Sequence, residues 1–175
     1  MTEQRRRRID IVSDPDYLAD LSTADDDDLR GRRSLCSDLD TELSYYRRLL
    51  HGRMDLLAFE AKRRSGEETR SLIEALPEIL AANTSHEGVP SDRPISVEAP
   101  DLPAVGRRPI DFVLGDDFIA RLPMLSGDEM ADAEARLREM EAEVSAQRKT
   151  VHTVLDAIQA ELSMRFRNAD SGQRG

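Results

Sequence analysis

Apolar residues return every three or four positions along two long stretches of the chain. In the first, Cys36, Leu39, Leu43, Tyr46, Leu50 and Leu57 follow the spacing of the a and d positions of a coiled coil, with Arg53 interrupting the seam. In the second, Leu137, Met140, Val144, Val151, Val154 and Ile158 do the same, with Gln147 as the polar exception. Both stretches predict long helices, over 21–64 and 126–168. Ser22 and Thr23 followed by Asp25, Asp26, Asp27 and Asp28 supply a start signal for the first, since acids suit the positive end of the helix dipole. Ser126 and Glu129 form a capping box for the second. Gly31 and Gly52 weaken the first helix modestly, and Ser65–Gly66 is a stop.

Between and around these helices the pattern changes. Leu72, Ile73, Leu76, Ile79 and Leu80 give residues 65–83 the face of a shorter helix, which Pro77 is expected to kink or split. Pro90, Pro94, Pro100, Pro103 and Pro109 accumulate without periodicity over 84–110, which reads as a disordered Pro-rich linker. Residues 111–125 form a short apolar segment, 1–20 a flexible N-terminal arm and 169–175 a disordered tail. Clusters of β-branched residues alternating with period two are missing. The expected fold is all-α: a long antiparallel two-helix coiled coil with shorter flanking helices.

The two seams are related. Adding 101 to Cys36, Leu39, Leu43, Leu50 and Leu57 gives Leu137, Met140, Val144, Val151 and Ile158. At the same offset a polar set recurs. Asp40, Ser44, Arg47, His51 and Asp55 correspond to Glu141, Ser145, Arg148, His152 and Asp156. Steps of three and four keep each set within one narrow stripe of its helix. An exposed coiled-coil flank is usually plain solvated surface, and either stripe alone would read so. The repetition favours a binding surface, since two of the three histidines, His51, His86 and His152, occupy the same stripe position. An antiparallel pair with a local two-fold would set the stripes on related flanks and build a pseudo-symmetric site from one chain.

Composition narrows the ligand. Charged residues make up 34% of the chain and aromatic residues 4%, with no Trp, which suits elongated helices better than a mixed α/β core. A net charge of −10 leaves no basic excess for direct nucleic-acid binding. Arg47, Arg48 and Arg53 nevertheless cluster locally, so a small anion or a basic partner protein remains open. Cys36 is the single cysteine, so neither an internal disulfide nor a cysteine metal cluster can form. No apolar run approaches a membrane span, and the Arg5–Arg8 run has no apolar segment after it, so the expected location is the cytoplasm.

Arginine presents a planar fork to phosphate or to guanine O6 and N7, and a carboxylate accepts from the guanine Watson–Crick edge. Arg and carboxylate on one stripe therefore fit a guanine nucleotide, and doubling the stripe fits a ligand with two-fold symmetry. No phosphate-binding glycine loop points to GTP hydrolysis. Metal binding through the His51–Asp55 and His152–Asp156 pairs is a weaker reading, because Arg47 and Arg148 sit one turn away. A hydrolase built on paired carboxylates is weaker still. A ligand-independent coiled-coil adaptor is the remaining alternative.

The doubled stripe resembles the signature of the actinobacterial RsiG family of anti-sigma factors, acidic–x3–Ser–x2–Arg–x3–Gln–x3–Asp, carried on an antiparallel coiled coil. Asp40, Ser44, Arg47 and Asp55 match it once, and Glu141, Ser145, Arg148 and Asp156 match it again. His51 and His152 stand where that motif has Gln, and Asp40 stands where it has Glu. The resemblance implies binding of cyclic di-GMP as a pair of molecules. It also implies sequestration, by the loaded protein, of the sporulation sigma factor WhiG, a relative of flagellar sigma factors. It implies a non-enzymatic switch in transcription regulation, acting as a monomer or a 1:1 heterodimer with sigma.

Overall fold

A computed structural model describes residues 7–85 and 118–172. Within them the chain forms α1 (Arg8–Val12), a 3-10 turn (Pro15–Leu18), α2 (Asp26–Ser65), α3 (Leu72–Ser85), α4 (Phe118–Arg121), a 3-10 turn (Leu122–Met124) and α5 (Gly127–Gly172). No strand occurs among the described residues, and no described helix is long and apolar enough to cross a membrane. The fold is all-α, with long α2 packed against long α5 and shorter helices flanking them. Residues 86–110 of the Pro-rich linker, with His86, residues 111–117 of the short apolar segment, the first residues of the arm and the end of the tail lie outside the described residues.

Contacts divide the chain into two units, Met1–Ser44 with Ser145–Gly175, and Tyr45–Val144. In the first, α2 contributes Leu29, Cys36, Leu39 and Leu43 to the core and α5 contributes Val151, Val154 and Ile158, all buried. In the second, Tyr46, Leu50 and Leu57 of α2 are buried, as are Leu137 and Val144 of α5. Apart from Leu29 these are the seam positions, and full burial of a Leu or Ile side chain stabilises by roughly 1.5–3 kcal/mol. Met140 and Gln147, also on the seam, are half-buried. Each unit has antiparallel helices: Asp26 lies opposite Arg165 in one, and Arg64 lies opposite Leu122 in the other.

The helix ends have identifiable causes. Asp25 accepts from the Asp28 amide at 2.7 Å, so α2 begins with Asp26–Asp28 in its first turn rather than at Ser22. Ser126 and Glu129 close the expected box on α5, at 2.7 and 3.2 Å. After α2 the chain leaves through Gly66, whose φ of +83° an L side chain would resist. The shorter helix starts at Leu72, the first residue of its apolar face, rather than at 65, because Glu68 accepts from the Thr69 and Arg70 amides and Ser71 pairs with Glu74 as a second capping box. Pro77 lies inside α3 without splitting it. The stretch read as a flexible arm holds α1 and a 3-10 turn: Val12 is buried, and Arg8 reaches Glu42 at 2.7 Å.

Candidate ligand site

The polar stripes meet across the helix pair, and each acid bonds the other copy's Arg and His. In the unit Tyr45–Val144, Glu141 Oε1 of α5 accepts from Arg47 Nε of α2 at 3.2 Å and lies 3.3 Å from His51 Nε2. In the unit Met1–Ser44 with Ser145–Gly175, Asp40 Oδ1 of α2 accepts from Arg148 Nε of α5 at 3.0 Å and lies 2.6 Å from His152 Nε2. The motif spacing produces this register. On antiparallel helices, an acid early in one stripe faces the Arg and His that lie seven and eleven residues further along the other.

The geometry leaves specific groups open. Among the described residues Arg47 and Arg148 engage their acids only through Nε, and the paired Nη groups of each fork have no hydrogen-bond acceptor there. Each histidine turns Nε2 to a carboxylate, which can only accept, so Nε2 carries a proton, and the neutral tautomer with that proton presents Nδ1 as an acceptor. A glutamine at that position would offer the same pair, an amide N–H and a carbonyl oxygen. The histidines are therefore chemically conservative replacements. Asp55 and Asp156 are exposed on the same stripes and make no side-chain hydrogen bond or ion pair among the described residues. Ser44 and Ser145 are half-buried. Arg47, Glu141 and His51 are 33%, 23% and 27% exposed at the side chain, so their ion pairing is neither fully screened nor fully desolvated.

Among the described residues no three His, Cys, Asp or Glu side chains converge as metal ligands. His51 and His152 contact the acid on the opposite helix.

Each unit also has an end lock that the sequence pattern did not single out. Arg64 donates from Nε to Glu60 at 2.8 Å and from Nη2 to the carbonyls of Leu122 and Pro123, both at 3.3 Å. Arg165 donates to Glu161 at 2.8 Å, to Asp26 at 2.9 Å, and to the carbonyls of Ala24 and Leu21 at 2.7 and 3.0 Å. Glu60 and Glu161, Arg64 and Arg165, and Leu21 and Leu122 are each related by the offset that relates the stripes. Extending that offset beyond the seam would have found them. Glu60 is completely buried. The Arg63 hydrogen bond holds its carboxyl below the ordinary glutamate value, against the upward pull of burial and with help from Arg64.

A search of curated proteins finds no match. The model of one family, described as RsiG-like, matches residues 15–80 and 116–174.

Proposed function

Because the chain belongs to the RsiG-like family, a family of anti-sigma-factor-type regulators, we propose that it binds cyclic di-GMP through its two polar clusters and, when loaded, sequesters a WhiG-type sigma factor. The observation that carries this reading is the doubled cluster of Arg, carboxylate and His. Both guanidinium groups are held by an acid at one nitrogen while the rest of the fork has no hydrogen-bond acceptor among the described residues. A planar fork fixed in this way suits guanine O6 and N7 or a phosphodiester oxygen, and little side-chain freedom remains to be lost on binding.

Asp55 and Asp156 accept from guanine N1–H and N2–H. Arg47 and Arg148 contact guanine or phosphate. Asp40 and Glu141 hold the arginines, and Ser44, Ser145, His51 and His152 complete the hydrogen-bond set. The ligand is bound and released unchanged, so the protein is a switch rather than an enzyme, working in the cytoplasm where the sigma factor acts. A pair of nucleotides matches a motif present twice.

Calorimetric titration of the folded chain with cyclic di-GMP tests the reading. The expected outcome is micromolar or tighter binding that Arg148→Ala abolishes or weakens severely. A folded sample that releases no heat ends it. A sigma factor captured equally with and without the nucleotide would instead support the ligand-independent adaptor.

A further inference from the structure

The five-position motif leaves the charge of each cluster unfavourable for a phosphodiester. With neutral histidines, Arg47 is offset by Glu141, and Asp55 adds a further negative charge. In the other unit Arg148 is offset by Asp40, and Asp156 adds the same. Each cluster therefore carries a net negative charge, on a chain whose overall charge is already −10. An anion approaching such a surface needs another cation.

One stands beside each motif arginine. Resting on the cyclic di-GMP reading, we infer that Arg48 and Lys149 are phosphate-binding residues, one in each unit. They occupy equivalent positions at the same offset as the stripes. Each lies four residues after the motif serine and three before the histidine, on the solvent side of the stripe, within about 20° of Asp55 or Asp156 around its helix. Arg48 is half-buried and Lys149 exposed, and neither side chain contacts an acid or a ring among the described residues. That is unusual in this chain. Arg30, Arg32, Arg63, Arg64, Arg70, Arg138 and Arg165 all pair with acids. Arg33, Lys62 and Arg136 also lack an acidic partner among the described residues, but their offset equivalents are Glu134, Ser163 and Leu35. Of the described cations without an acidic partner, only Arg48 and Lys149 correspond to each other at the offset.

The position suits the role. Arg48 precedes Asp55 by two helical turns, roughly 10 Å along the axis, a span that one guanosine phosphate can bridge. The carboxylate then takes the guanine edge and the cation takes the phosphate. Adding Arg48 or Lys149 brings each cluster to neutrality before the ligand arrives, which removes the repulsion the five residues alone would exert.

The test is titration of the full chain with cyclic di-GMP at low and high NaCl, for wild type, Arg48→Ala, Lys149→Ala, Arg48→Lys and Arg136→Ala, with helicity checked by circular dichroism. Each of the first two alanine variants is expected to lose about tenfold in affinity, the scale of one charge-assisted hydrogen bond, and to show a flatter salt dependence. Arg48→Lys retains most of the affinity, and Arg136→Ala, whose cation lies off the stripe, binds as wild type does. Affinity within twofold of wild type in both Arg48→Ala and Lys149→Ala overturns the inference, as does an equal loss in Arg136→Ala, which would mean bulk charge alone. A wild-type chain that does not bind removes the cyclic di-GMP reading itself, an outcome distinct from variants that bind unchanged.

Discussion

The two units use the same parts with different emphasis. Around Asp40 the acid is the shorter residue, and its contacts are the tighter, at 2.6 Å to His152 and 3.0 Å to Arg148. Around Glu141 the acid is longer and its contacts are looser, at 3.3 and 3.2 Å. The end locks differ in the opposite sense. Arg165 spreads its donors over two carbonyls and two acids. Arg64 also reaches two carbonyls but has a single acid, Glu60, a wholly buried carboxylate that accepts from Arg63 too. One unit thus concentrates its ionic dependence in the polar cluster, the other in its end lock. The repeat preserves geometry while leaving each copy free to set where charge matters.

The largest effects should ignore that difference. Leu50→Ala in one unit and Ile158→Ala in the other each remove a fully buried seam residue, and each should cost about 2–5 kcal/mol in chemical denaturation. A marked inequality would show that the seam, and not only the polar groups, is packed unequally. Next in size, Arg47→Ala and Arg148→Ala should each lose about 1.5–3 kcal/mol of cyclic di-GMP binding by calorimetry. If only one matters, the two clusters are not equivalent in function.

The end locks give the third contrast. Glu60→Gln should lower stability by about 1–2 kcal/mol, and Glu161→Gln by less than about 1 kcal/mol, in urea melts at neutral pH. The pH response separates them further. The folded-state value of Glu60 lies below its unfolded value of 4.5, so its contribution is complete above 4.5 and disappears as pH falls through the folded value. Thermal melts should therefore fall more steeply below pH 4.5 in wild type than in Glu60→Gln. Parallel curves would remove Glu60 from the account. Smallest of all, His51→Gln and His152→Gln should change nucleotide affinity by less than about 1 kcal/mol, since glutamine reproduces the donor and acceptor. A larger loss would show that the ring itself is required.

Much of this was readable from the sequence because it is periodic. Seam and stripe are local patterns, and the 101-residue offset gives them a common phase. Which acid meets which arginine is a long-range fact, set by the register of antiparallel packing, and no single helix contains it. Glu42 and Glu60 were unreadable for another reason. Acids beside a seam normally face water, and these two are buried with Arg8, or Arg63 and Arg64, bonded to them. The docking of α1 was missed because five residues carry too little pattern to signal a helix. Yet Ile9, Asp10 and Val12 recur as Ile110, Asp111 and Val113, and Tyr17, Leu18, Ala19 and Leu21 recur as Phe118, Ile119, Ala120 and Leu122. The duplication thus reaches back into the arm, where composition suggested only a loose end.

The crossed pairing of acid with Arg and His also has a consequence in polymer terms. Arg47 and Glu141 are 94 residues apart along the chain, and Asp40 and Arg148 are 108. Each contact is a clasp on a long loop, and closing such a loop costs entropy that rises only slowly with its length. A nucleotide that touches both sides of a clasp holds the loop shut without any change in the linker. Its affinity is then inseparable from chain closure, and at a hundred times its dissociation constant it would add about 2.7 kcal/mol to the closed form.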